Sequence, residues 1–149
     1  MKPYKLMIDE EACWGCKTCE VACKQQNNTP PGVQLISVQE NGAQVILEKR
    51  DFVFHITVCR HCDESPCVEA CPVEAIVKRD DGIVILLQDQ CTGCRLCLEA
   101  CPYGAIAFDE GKGVAQKCNL CCDRLDRGLL PACADNVCLA HCIHVGYAV

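Results

Sequence analysis

The chain has 149 residues, which suits one compact domain or two fused small ones. Eighteen of the residues are cysteines, a share typical of a disulfide or metal scaffold, whereas aromatic residues make up only 5%. The formal net charge of −6 argues against nucleic-acid binding, because an acidic surface repels phosphate groups.

The first residues carry no recognisable export signal. The segment Met1 to Glu11 lacks the basic start, apolar run and small-residue cleavage site of a signal peptide, and it lacks a twin-arginine pair. The sequence also has no apolar stretch long enough for a membrane span. Since disulfides need an oxidising compartment, we expect a cytoplasmic protein with reduced cysteines and no membrane span.

The cysteines form four sets along the chain. The first and third sets share the spacing Cys-x-x-Cys-x-x-Cys-x-x-x-Cys, the second has a middle gap two residues longer, and the fourth is irregular. In chain order the sets are Cys13, Cys16, Cys19 and Cys23; Cys59, Cys62, Cys67 and Cys71; Cys91, Cys94, Cys97 and Cys101; and Cys118, Cys121, Cys133 and Cys138. This internal repeat predicts a repeated structural unit.

Two cysteines, Cys122 and Cys142, are left over by this division. The second and third sets are followed by Ala then Ile, and in that alignment Cys142 takes the position of Ala75 and Ala105. Cys142 is then a small apolar filler. The alternative makes Cys138 and Cys142 the third and fourth ligands of the last set, because their spacing matches that at the end of the second set.

Short helices are predicted just before the final cysteine of the first three sets, at EVA, VEA and LEA. The segment Gln34 to Glu48 alternates apolar and polar residues about Asn41-Gly42, which predicts a hairpin with its turn there. The segments that follow the second and third sets, AIVKRDDGIVILL and AIAFDEGKGVAQ, predict strand, turn and strand.

The spacing of the first three sets is that of iron–sulfur ligands. A Cys-x-x-Cys-x-x-Cys-x-x-x-Cys-Pro run is the bacterial ferredoxin signature, in which the fourth cysteine binds the other cluster of a pair. Gly15 and Gly93 precede the second cysteine of their sets, where a residue without Cβ lets backbone amides approach the cluster.

Structural zinc is the main competing explanation. Zinc sites generally join two distant Cys-x-x-Cys knuckles, whereas three sets here place four cysteines within eleven to thirteen residues. Zinc therefore stays open only for the fourth set, which has a long internal gap and has His141 and His144 nearby.

With these motifs in place, the chain resembles the four-cluster ferredoxin-like electron-transfer subunits of molybdenum and tungsten oxidoreductases, hydrogenases and carbon monoxide dehydrogenase. The stretches CRHCDESPCVEACP and KCNLCCDRLDRGLLPAC carry the resemblance. It implies an α+β fold of two nested dicluster ferredoxin-like units. The outer unit would be residues 1–32 and 110–149, the inner unit 56–109, and a β-hairpin insertion 33–55.

The opening CWGCKTCEVACK is similar to that of the small subunits of cytoplasmic tungsten enzymes of the aldehyde oxidoreductase type, including benzoyl-CoA reductase.

The resemblance also implies which cysteines share a cluster. The four groups would be Cys13, Cys16, Cys19 and Cys138; Cys118, Cys121, Cys133 and Cys23; Cys59, Cys62, Cys67 and Cys101; and Cys91, Cys94, Cys97 and Cys71. The last set departs from the family pattern. Cys133 and Cys138 are one residue further apart, Leu139 replaces a proline, and Cys122 and Cys142 are additional.

The implied function is that of a non-catalytic electron-transfer subunit. It would pass single electrons through three or four [4Fe–4S] clusters, four being preferred, between a catalytic oxidoreductase subunit and a second redox protein or ferredoxin. The sequence offers no Gly-rich dinucleotide fingerprint and no Ser/His/Asp arrangement. The alternatives are a free-standing polyferredoxin, a three-cluster carrier with structural zinc in the fourth set, a redox-sensing module, and an enzyme that uses Cys122 or Cys142.

Overall fold

The computed structural model describes residues 3–46, 48–134 and 136–147. It consists of short helices and short strand pairs, which is compatible with the predicted α+β class. The strands are β1 (Tyr4–Ile8), β2 (Ile36–Ile46), β3 (Lys49–Val58), β4 (Ile76–Lys78), β5 (Val84–Leu86), β6 (Ile106–Asp109), β7 (Val114–Lys117) and β8 (Ile143–Tyr147). The helices are α1 (Thr18–Asn27), α2 (Pro66–Glu69), α3 (Leu96–Ala100) and α4 (Cys122–Leu125), with one 3₁₀ turn at Gln88–Gln90.

The described strands form four antiparallel pairs: β1 with β8, β2 with β3, β4 with β5, and β6 with β7. The first pair joins the two ends of the described chain, so that Tyr4 lies opposite Tyr147 with ring centroids 5.0 Å apart. The β4–β5 and β6–β7 pairs follow the second and third cysteine sets, which confirms the strand, turn and strand predicted there.

The three predicted helices are also confirmed, as α1, α2 and α3. The residues before α1 and α3, Lys17 and Arg95, have left-handed φ values of 60° and 63°, which turn the chain from the cysteine loop into the helix. Proline at the first position of α2 suits a helix start because its missing N–H has no partner there in any case. Within the described ranges, no helix is both long and apolar enough to cross a bilayer.

The predicted hairpin turn at Asn41-Gly42 is wrong. These residues lie inside β2, and the register with β3 shifts between Glu40 and Ala43, so that Gly42 with φ of +82° forms a bulge. The reason is that β3 continues the alternating pattern and pairs along the whole of β2, which gives more ladder hydrogen bonds than two short strands. Leu47, which the predicted hairpin included, lies outside the described residues.

Two clusters of buried residues form the core, and both contain cysteine side chains. The larger cluster packs β2 and β3 against α1 and β8; its buried members are Cys19, Cys23, Val33, Leu35, Ile36, Val38, Ile56, Val58, Cys133, Cys138, Cys142 and Ile143. The smaller cluster lies between the β4–β5 and β6–β7 pairs and consists of Ile76, Val84, Cys97, Ile106 and Ala115. Sulfur therefore fills interior space that larger apolar side chains usually occupy.

Replacing Ile56 by Ala is expected to destabilise the fold. Ile56 is 1% exposed in the larger core cluster, and truncation of such a side chain costs about 2–5 kcal/mol. The measurement is the rate at which guanidinium bleaches the visible absorbance of the anaerobically purified protein. Phe52→Ala, which changes a largely exposed residue of the same strand, is the control and should bleach at nearly the native rate. Equal rates for the two variants would contradict this account of the core.

Candidate iron–sulfur sites

Three cavities are each lined by four of the predicted ligands. We name each after the set that supplies three of its thiols: the set-one cavity (Cys13, Cys16, Cys19 and Cys138), the set-two cavity (Cys59, Cys62, Cys67 and Cys101) and the set-three cavity (Cys91, Cys94, Cys97 and Cys71). In every case the fourth thiol comes from a different set. Their similar linings suit occupants of the same kind.

The other four predicted ligands, Cys118, Cys121, Cys133 and Cys23, also lie near one another, and we call them the set-four group. Burial, followed by the nearby thiols of Cys118, Cys121 and Cys23, raises the pKa of Cys133 above its usual range. Burial and then Cys121 raise the pKa of Cys23 to about 11. The set-four group therefore brings thiols from both ends of the chain together.

Cys142, predicted to be a small filler, is 1% exposed, as a filler should be. It nevertheless lies beside a predicted ligand. Its Sγ is 3.5 Å from the Sγ of Cys138, and it lines the set-one cavity. The structure thus groups Cys133, rather than Cys142, with Cys118 and Cys121.

The histidines that kept zinc open for the fourth set, His141 and His144, are both exposed. Across the described residues, no three His, Cys, Asp or Glu side chains converge as they would around a single metal ion.

A repeated backbone conformation lies at the start of the sets. Two residues after the first cysteine, the chain has a positive φ in every set: Gly15 (66°), His61 (46°), Gly93 (75°) and Leu120 (54°). In three of these places the backbone N–H donates to the Sγ of the first cysteine, with distances of 3.4 Å for Gly15, 3.4 Å for His61 and 3.3 Å for Leu120. Amide hydrogen bonds of this kind stabilise a metal-bound thiolate.

Sequence reasoning found this turn only where glycine marks it. His61 and Leu120 adopt the same left-handed conformation despite a cost of about 1–2 kcal/mol for a residue with a Cβ. The sequence signal that could have found the turn at His61 and Leu120 was their equivalent position in the cysteine repeat, two residues after the first cysteine.

Further hydrogen bonds to predicted ligands are donated by Ala75 N to Cys71 Sγ (3.3 Å) and by Asn27 Nδ2 to Cys23 Sγ (3.4 Å).

The thiols of the sites fit a group that carries positively charged iron. Burial raises the pKa of Cys19 and of Cys118 to about 12, and that of Cys97 to about 11, so these thiols ionise when a cation displaces their protons. Cys16 differs, because a hydrogen bond with Thr18 Oγ1 at 2.8 Å lowers its pKa. Soft sulfur donors in sets of four, with amide donors around them, match the ligand requirements of [4Fe–4S] clusters.

Replacing Gly93 by Ala is expected to disrupt the set-three cavity. A Cβ at Gly93 would lie 2.3 Å from the carbonyl oxygen of Gly113, and the φ of +75° adds strain. We expect the loss of about four irons, one cluster, per chain in an assay of iron and acid-labile sulfide. Gly104→Ala is the matched control, because its φ of +60° is similar but its Cβ would meet nothing within 4 Å. A native iron content in Gly93→Ala would show that the close approach is not required.

Comparison with known proteins identifies the family. The model of a 4Fe-4S dicluster domain matches residues 50–148, and a second model of the same description matches residues 12–76. The chain is 41% identical to one of the subunits of tetrathionate reductase from Salmonella typhimurium, over 89% of this chain and 54% of the relative. It is 38% identical to one of the chains of anaerobic dimethyl sulfoxide reductase from Escherichia coli (89% and 68%) and to the thiosulfate reductase electron transfer subunit of Salmonella typhi (96% and 75%).

The chain spans about half to three quarters of the length of these relatives. The two domain matches overlap and together extend over all four cysteine sets, which implies four [4Fe–4S] clusters. That is the number preferred from the sequence over three clusters with zinc. The chain therefore belongs to the 4Fe-4S dicluster family of iron–sulfur proteins.

Proposed function

We propose that the chain relays single electrons through its four clusters between a catalytic reductase subunit of the molybdenum or tungsten type and a second redox protein. The observation that carries the proposal is that three cavities are each lined by four cysteines drawn from two sets, with Cys16 and Cys94 exposed in two of them. The relatives named for tetrathionate, dimethyl sulfoxide and thiosulfate reductases favour a catalytic partner that reduces a small sulfur or sulfoxide compound. The resemblance of the opening loop to subunits of tungsten enzymes remains a prediction.

The ligands in this proposal are the groups that the family resemblance implied. They are Cys13, Cys16, Cys19 and Cys138; Cys59, Cys62, Cys67 and Cys101; Cys91, Cys94, Cys97 and Cys71; and Cys118, Cys121, Cys133 and Cys23. The cavity linings support the first three groups, and the mutual effects of the thiols on their pKa values support the fourth.

We infer the order of the sites from thiols whose pKa is raised by a thiol of another group. Burial is the largest cause that raises the pKa of Cys133, and the thiols of its own group come next. Cys19 of the set-one cavity raises it further. Burial is also the largest cause that raises the pKa of Cys118, and the thiol of Cys59 in the set-two cavity is the second. Cys97 in turn has its pKa raised by burial, by its own set and then by Cys67. These proximities favour the series set-one, set-four, set-two and set-three.

Exposed thiols lie at the two ends of this series. Cys16 in the set-one cavity and Cys94 in the set-three cavity are the two predicted ligands classed as exposed, and the others are half-buried or buried. Trp14 lines the set-one cavity and is 66% exposed, while Val73 lines the set-three cavity and is also exposed. We infer that the catalytic subunit and the second redox protein bind at these two ends.

The nested arrangement belongs to the same proposal. Residues 1–32 and 110–149 would form the outer unit around residues 56–109, with 33–55 as an insertion. The pairing of β1 with β8 supports this division, because it holds the beginning and end of the outer unit together. All eighteen cysteines are unpaired in the structure, as cluster ligands must be. A reducing, cytoplasmic location remains part of the proposal.

Clusters held by these cysteines would supply the one-electron transfer. The cysteines would hold the clusters, and backbone N–H groups such as those of Gly15 and Leu120 would stabilise the thiolates. No residue of the chain is assigned to bond-breaking chemistry.

The ligand assignment is tested at the fourth set. Cys133→Ala should lower the iron content from about sixteen to about twelve per chain, or to about fifteen if a three-iron cluster remains. Cys142→Ala and Cys122→Ala are the controls and should keep about sixteen irons and no zinc. A loss in Cys142→Ala but not in Cys133→Ala would support the alternative ligand pair Cys138 and Cys142, and about twelve irons with one zinc in the native protein would contradict the four-cluster proposal.

The relay is tested by affinity purification of the tagged chain from its own host under anaerobic conditions. We expect a larger protein to co-purify in a stable ratio with molybdenum or tungsten, and dithionite-reduced complex to be reoxidised by the substrate of that protein. A tagged two-cluster ferredoxin is the control for non-specific capture. A chain that returns alone and reduces a soluble acceptor would be a free polyferredoxin, which would overturn the proposed partner.

A further inference from the structure

Lys117 is a buried lysine at the end of β7, immediately before the ligand Cys118. Lys117 is only 5% exposed. The ammonium Nζ donates to the carbonyl oxygen of Val84 and, at 2.7 Å, to that of Cys118. Because an ammonium group has three donors, one N–H remains after these two hydrogen bonds.

The charge of Lys117 has no acidic partner in the described part of the chain. The other buried charged residues are satisfied differently: Asp81 pairs with Arg79 at 2.9 Å, and Glu20 accepts from Val38 N at 2.6 Å. Asp109 accepts from Gln116 Nε2 at 2.9 Å and from two backbone N–H groups. A buried ammonium with only carbonyl acceptors is costly unless a negative charge lies close by.

Two proposed cluster sites flank this ammonium. Lys117 lines the set-two cavity together with Cys59, Cys62, Cys67 and Cys101. Its Nζ also donates to the backbone carbonyl of Cys118, a member of the set-four group. Its charge acts on both sites, since it lowers the pKa of Cys67 and of Cys118 against the larger effect of burial, which raises both.

The neighbouring buried histidine does not share this role. His61 is 1% exposed, its Nδ1 accepts from Val84 N at 3.0 Å, and burial lowers its pKa to about 3. The ring is therefore neutral at physiological pH. The same residue, Val84, thus contacts a neutral imidazole through its N–H and the charged Lys117 through its carbonyl.

We propose that Lys117 sets the reduction potentials of the two inner clusters, by placing its buried ammonium between the set-two and set-four sites and donating its third N–H toward the set-two cluster. This inference rests on the cluster assignment of the proposed function. An oxidised cluster with four thiolates carries about −2, and reduction adds one more negative charge. A fixed positive charge nearby favours the reduced form, so Lys117 raises both inner potentials. It does not line the set-one or set-three cavity, and the clusters there respond less.

The test is an anaerobic redox titration of the isolated chain monitored by electron paramagnetic resonance. In Lys117→Gln, which retains donors for the two carbonyl groups but removes the charge, two of the four clusters should titrate at lower potential. At a fixed applied potential their reduced-to-oxidised ratio should fall about tenfold or more, equivalent to about 59 mV for a one-electron couple. Lys117→Arg, which keeps the charge, should restore most of the native values.

The matched control is Lys78→Gln. Lys78 also donates to two backbone carbonyls of a cysteine loop, those of Cys62 at 3.1 Å and Asp63 at 2.7 Å, but it is exposed and lies 3.9 Å from a carboxylate oxygen of Asp63. All four potentials should stay native in this variant. Four unchanged potentials in an iron-replete Lys117→Gln, or an equal fall in Lys78→Gln, would overturn the proposal.

A measurement on the native protein covers the case in which the Lys117 variants fail to assemble clusters. With ¹⁵N-labelled lysine, pulsed electron paramagnetic resonance of the reduced clusters should show coupling to one lysine nitrogen, and Lys78→Gln should keep it. Absence of that coupling overturns the proposed hydrogen bond. Because these experiments use the isolated chain, their failure would not affect the partner assignment, which the co-purification tests separately.

Discussion

The structure depends on burying sulfur ligands in an interior where they ionise only around a cation. Burial raises the pKa of Cys118 to about 12 and that of Cys97 to about 11, so the folded polypeptide by itself disfavours the thiolates that it needs. Iron reverses this preference, since it replaces the protons and offsets part of the negative charge that burial penalises. The free energy of cluster binding is therefore part of the free energy of folding.

This dependence explains why the secondary structure is so slight. Helices α2 and α4 are each four residues long, and the described strands occur as isolated antiparallel pairs. A two-stranded hairpin is at best marginally stable in water. Ligand groups that draw thiols from distant sets hold such fragments together, as where Cys23 of α1 meets Cys133, and the β1–β8 pair closes the ends. The contacts that assemble the clusters are also the long-range contacts of the fold.

Predictions from the sequence held where a residue pattern reports directly on local geometry. The cysteine spacing predicted the family, and the alanine and isoleucine after the second and third sets marked the strand pairs. Patterns that depend on a distant partner misled or were silent. Asn41-Gly42 is a strong turn signal, but the length of β3 made it a bulge. His61 adopts the same turn as Gly15 without glycine to mark it, and the burial of Lys117 depends on Val84, 33 residues away.

The position of a charge along the series of sites matters more than the net charge of the chain. At the two ends of the proposed series, Cys16 and Cys94 are exposed, so water screens the charge of a cluster held there. Inner sites lack that screening, and consecutive reductions would place several negative charges close together in a medium of low dielectric constant. A buried cation lowers the electrostatic cost of placing these negative charges close together. Lys117 lies where the set-two and set-four groups meet, so an electron entering from either end would pass it at the middle of the relay.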